Sequence, residues 1–125
     1  MSTIKFWQVK SGNTSIQDVL IRDKDDVTVT NLGDATGIKF QIKTLKEDTT
    51  ALIEKTDIAG IAVDTPTTGY LRITLTPTDT GTTLSVGDYF MALQITWSAT
   101  VIYEVNMEID DVKTERFRIS EDLIT

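Results

Sequence analysis

The sequence predicts a single all-β domain spanning residues 1–125, an antiparallel sandwich of about eight short strands. Three observations predict it. Gly87 to Trp97 alternates with period two: Tyr89, Met91, Leu93, Ile95 and Trp97 fall on one side of an extended chain, and Phe90, Ala92, Gln94 and Thr96 on the other. Shorter alternating runs recur at intervals of roughly 8–12 residues, separated by turn residues, and no useful stretch has helical period. Threonine supplies 22 of the 125 residues. Its stiff branched side chain and wet hydroxyl suit the solvent face of a strand.

In chain order, Ile4 to Lys10 reads as a first strand, and Ser11-Gly12-Asn13 as a turn. Ser15 to Arg22 alternates loosely, is broken by Asp23 to Asp26, and resumes at Val27 to Thr30. After a loop, Ile38, Phe40 and Ile42 face inward while Lys39, Gln41 and Lys43 face out. A hairpin-like connection leads to Ala51 to Lys55, and a short apolar piece follows at Ile58 to Val63. Leu71, Ile73 and Leu75 share one face, and Pro77 ends that strand because proline cannot continue a ladder. Thr78 to Leu84 reads as a short helical corner leading into the central strand at Gly87. Val101, Tyr103, Val105, Met107 and Ile109 alternate next, and Asp110-Asp111 turns the chain. The last strand puts Phe117 and Ile119 inward and Arg116 and Arg118 outward.

Composition excludes more chemistry than it suggests. There is no cysteine, hence no disulfide and no thiolate metal site, and no histidine, the commonest general base. The formal charge of −7 repels nucleic-acid phosphate, and no basic stripe interleaves with aromatics. No run approaches the roughly 20 apolar residues of a membrane span, and the first residues lack a signal-peptide pattern. The expectation is a protein made in a cytoplasm, with neither nucleic acid nor membrane as partner and no cofactor.

Candidate sites are few. Asp23 to Asp26, and Asp110-Asp111 with Glu108, supply carboxylates but not the glycine and distal glutamate of a calcium loop, so solvated turns are the better reading. Glu104 and Glu108 share a strand face with Asn106 between them, a placement that fits a surface better than a glycosidase cleft. No serine elbow, Walker loop or dinucleotide fingerprint is present, and the chain reads as a non-enzyme. The aromatics carry more information. Trp97 and Tyr103 have core phase, whereas Phe90 points away from Tyr89 and Met91 and meets either a second buried face or a partner. Phe6 and Trp7 are adjacent, so a strand sends them opposite ways.

Leu71 to Thr80, then Leu84, then Gly87 to Ile95 resembles a pattern of small immunoglobulin-like domains in tailed bacteriophages and prophages: a strand ending in a Thr-x-x-Asp-Thr corner, a leucine, and a Gly-x-Tyr opening the next strand. Arg116 to Thr125 is similar to their closing strand and tail. Lys10 to Thr14 and Ile38 to Lys43 are similar to the N-terminal domain of phage upper baseplate proteins. The resemblance implies an immunoglobulin-like sandwich and a virion structural part that binds other virion proteins or copies of itself: tail or baseplate, neck adaptor, or head-surface decoration. The chain ends at residue 125, without the long C-terminal region of those baseplate proteins, which favours an adaptor, completion or decoration role. The candidate interface is Phe6, Trp7, Phe90, Leu123 and Ile124, with an open strand edge. Tyr89 and Gly87 are the candidate tyrosine corner, the phenol reaching back to upstream backbone and the glycine allowing the tight turn. A carbohydrate- or host-surface-binding module is the alternative, and it needs two aromatics on one exposed face.

Overall fold

Strands form where apolar and polar side chains alternate, because each such segment can bury one face only by pairing with others. The computed structural model describes residues 6–23, 25, 27–29, 32–56, 60–65, 69–98, 101–109 and 112–121. Among these, the strands are β1 (Phe6–Lys10), β2 (Ser15–Arg22), β3 (Gly37–Lys43), β4 (Ile53–Thr56), β5 (Ile61–Thr65), β6 (Tyr70–Leu75), β7 (Gly87–Ser98), β8 (Val101–Ile109), β9 (Val112–Lys113) and β10 (Arg116–Ser120). Among the described residues, the helical elements are a short turn at Leu32–Asp34 and a wider one at Asp79–Thr83, where the Leu84 N–H reaches the Asp79 carbonyl at 3.0 Å.

The hydrogen-bonded path runs β1-β10-β7-β8-β2-β6-β5, with β3 and β4 branching from β7. Strand β8 changes partners midway. Val101 to Val105 pair with β7, and Asn106 to Glu108 pair with β2. The strands β4-β3-β7-β10-β1 and β5-β6-β2 therefore form two sandwich-like arrays joined through β8, and their inner side chains share one core. Phe40, Leu93, Ile95 and Phe117 from the first array and Ile21, Ile73 and Leu75 from the second have no exposed surface.

The period-two readings for β3, β6, β7 and β10 match the observed burial: Ile38, Phe40 and Ile42; Leu71, Ile73 and Leu75; Tyr89, Met91, Leu93 and Ile95; and Phe117 and Ile119 are all buried. Trp97, at the end of β7, is half-buried against the core. Thr28, in the resumed segment after β2, makes a single bridge to Arg22.

One pairing departs from the antiparallel expectation. Strand β1 runs parallel to β10, with Trp7 beside Phe117 and Val9 beside Ile119. No hairpin sets the direction of β1, because the chain leaves it for the other array. The parallel register brings both inward pairs into the core together.

The turn at Asp79–Thr83 pins the start of β7 to the opposite end of the chain. Thr80 is fully buried, and its Oγ1 donates to the Asn13 carbonyl at 2.7 Å. At Gly81, a Cβ would lie 2.9 Å from the Gly12 Cα, so only glycine lets the corner rest on the β1–β2 turn.

Candidate functional site

The residues that stand out lie on the outer face of β1, β10, β7 and β3. Cross-strand register sets Phe6 beside Arg116, Arg116 beside Phe90, and Phe90 beside Lys43. One row thus crosses four strands. The Arg116 guanidinium lies 4.3 Å from the Phe90 ring centre and 5.2 Å from that of Phe6. Arg118 lies 4.0 Å over Phe6, and the Lys46 ammonium 5.4 Å from Phe90. Each contact of this kind contributes about 0.5–1 kcal/mol at an exposed site. Together they hold two phenyl rings half-buried outside the core.

Carboxylates neutralise only part of this row. Arg118 makes a two-pronged pair with Asp88, Nε to Oδ1 at 2.7 Å and an Nη to Oδ2 at 3.2 Å. That donor pair keeps the Asp88 pKa below the usual carboxylate value, with the Arg116 charge adding to it. Lys46 pairs with Glu115 at 2.8 Å. Lys39, Lys43 and Arg116 have no carboxylate partner among the described residues. The Arg116 Nε is buried and has no hydrogen-bond acceptor.

The charge on this face runs against that of the chain. The outer positions of β1, β3, β4, β7 and β10 carry Lys10, Lys39, Lys43, Arg116 and Arg118 against Asp88 and Glu54, the latter accepting from Gln41 at 2.8 Å. The whole chain has 12 basic and 19 acidic residues. Ala92 leaves the face hollow between these side chains. An open depression of about 260 Å³ is lined by Lys43, Lys46, Phe90, Ala92 and Glu115. A second, of about 140 Å³, continues it along Lys39, Gln41, Lys43, Ala92 and Gln94.

Of the expected interface residues, Phe6 and Phe90 come together on this face. Trp7 does not, and this corrects its place among them. It is 4% exposed, packs edge-on to Phe117 at 5.3 Å and donates its indole N–H to Ser15 Oγ at 3.0 Å. Its larger apolar surface takes the inner face, and Phe6 is left outside. Leu123 and Ile124 lie outside the described residues. The Tyr89 hydroxyl donates to the Ser85 carbonyl at 2.7 Å, and Gly87 begins β7 with φ of +155°, which side-chain-bearing residues rarely adopt. Tyr89→Phe is expected to lower stability by about 1 kcal/mol, read as a drop of a few degrees in thermal melting. An unchanged melting temperature would mean that water replaces the phenol without cost.

Two of the candidate acidic groups, Asp23 and Glu108, have partners within the chain, and Asp110 and Asp111 lie outside the described residues. Asp23 Oδ1 accepts the Asp25 and Val27 N–H groups at 2.9 and 3.0 Å, a self-satisfied turn. Glu108 is ion-paired with Arg22. Sequence reasoning missed Arg116 and Lys46. The one available signal was the Arg-Phe-Arg alternation at 116–118, which marks two cations on the face opposite a core phenylalanine. Compared with family models, curated proteins and solved structures, the chain matches none.

Proposed function

We propose that this chain is a structural component of a tailed-bacteriophage or prophage particle, an immunoglobulin-like sandwich that works by protein–protein contact rather than catalysis. The observation that carries this reading is the Phe6-Arg116-Phe90-Lys43 row with its adjoining hollow: large side chains, ordered yet left outside the core, are characteristic of an interface rather than of a passive surface. The fold assignment is supported by strand order. Strands β10, β7, β3 and β4 lie together, β2, β6 and β5 form the other array, and Tyr89 reaches back to Ser85 where the chain crosses from β6 to β7. The phage assignment rests on the resemblance of Leu71 to Ile95 and of the closing strand.

The carbohydrate-binding alternative draws on the shared face of Phe6 and Phe90. Both rings already carry cationic groups, which leaves less open surface for a sugar to stack on. The test is mass spectrometry of particles purified by density gradient from the chain's source. The expected result is this chain at a fixed ratio to the major structural proteins. Particles that lack it would overturn the virion assignment.

A further inference from the structure

We propose that the basic outer face of β3, β7 and β10 receives a second copy of this chain, which presents its acidic turn carrying Asp23, Asp25 and Val27. The contact is head-to-tail, because the two surfaces lie on different parts of the molecule. The inference extends the contact-making reading above and names its partner.

Charge complementarity identifies the occupant. Lys39 and Lys43 line a hollow floored by Ala92 and Phe90 and have no carboxylate partner among the described residues, Arg116 lies beside Phe90, and the one carboxylate at the hollow, Glu115, is paired with Lys46. A matching ligand has carboxylates beside a small apolar group. The turn after β2 has that chemistry: Asp25 is exposed, and Val27 is 57% exposed although apolar. Asp23 Oδ1 holds the Asp25 and Val27 N–H groups, so these two positions are fixed before docking.

The net charge of −7 opposes association, and the two effects separate by distance. The centres of two such chains in contact lie roughly 30–35 Å apart. At about 0.1 M salt the screening length is about 10 Å, so the overall repulsion is damped while ion pairs at contact distance persist. At about 1 M the length falls to about 3 Å and the contact weakens too.

The experiment is sedimentation velocity with light scattering over a range of concentrations. At about 0.1 M salt, the wild-type chain is expected to rise above its monomer mass of 13.9 kDa as concentration increases, and to return to it at about 1 M. Lys39→Glu with Lys43→Glu, and separately Asp25→Lys, are expected to weaken association about tenfold or more. All three positions lie outside the core, and an unchanged melting temperature checks the fold. Mixing the two variants supplies the discriminating result. Each retains one intact surface, and the two reversed surfaces are opposite in charge, so the mixture is expected to associate although neither variant does so alone. A wild type that remains monomeric at every concentration at about 0.1 M overturns the proposal. So does a mixture that stays monomeric, or a double lysine variant that associates as well as the wild type. This solution test needs no particle: absence of the chain from particles would leave the contact standing, and a monomeric chain would leave particle membership standing.

Discussion

Phe117→Ala is expected to destabilise the domain by about 3–5 kcal/mol, measured by urea denaturation. Phe117 has no exposed surface. Its ring meets Trp7 edge-on at 5.3 Å and Tyr89 at 6.5 Å, so truncation opens a cavity lined by rings that cannot easily collapse into it. Against a total stability of about 5–15 kcal/mol, such a loss leaves a marginal fold. Phe117→Leu refills much of the space and is expected to cost about 1–2 kcal/mol. The loss also reaches the outer face, because Arg116 and Arg118 flank Phe117 on the same short strand. Truncating Arg116 itself, which touches the Phe6 and Phe90 rings, is expected to cost about 1–2 kcal/mol. If Phe117→Ala cost as little, the packing of β10 against β1 and β7 described above would be wrong.

Asp79→Ala is expected to cost about 2–3 kcal/mol at neutral pH. Asp79 Oδ2 accepts the Thr76 N–H at 2.9 Å, and the Asp79 N–H donates to Thr76 Oγ1 at 3.2 Å. The same carboxylate meets the Lys55 ammonium at 2.7 Å, with both side chains mostly covered. Alanine removes the cap and strands the lysine charge. Burial by itself raises the Asp79 pKa, but hydrogen bonds from Lys55 and Thr76 and the Lys55 charge outweigh it and hold the group below its ordinary 3.8. The sign of the pH effect follows. A carboxylate with a depressed folded pKa contributes stability fully present above its unfolded pKa, and loses it as pH falls through the folded value. The stability gap between the wild type and Asp79→Asn is therefore expected to be widest near neutrality and to shrink below about pH 4. Denaturation curves at a series of pH values check this, and a gap that widened on acidification would contradict the ion pair.

Much of this molecule is written in local pattern. Tyr89, Met91, Leu93 and Ile95 mark one face of β7 without reference to any other strand, and Phe90 is marked as out of place by the same alternation. Pro77 and Asp79 mark the corner through backbone chemistry that is equally local. Facing could not be assigned where the pattern was symmetric. Phe6 and Trp7 are both aromatic, and only the parallel register with β10 sends Trp7 inward beside Phe117. The midway change of partner by β8, and the buried link from Thr80 to Asn13, join residues far apart in sequence. The candidate site is of that second kind. The sequence by itself determined that the chain is all-β, which residues of β3, β6, β7 and β10 enter the core, and that Phe90 faces away from Tyr89 and Met91. Only the tertiary structure decided that Phe6, Arg116, Phe90 and Lys43 form one row, because alternation sets which way a side chain faces and only strand pairing sets which side chains it faces with.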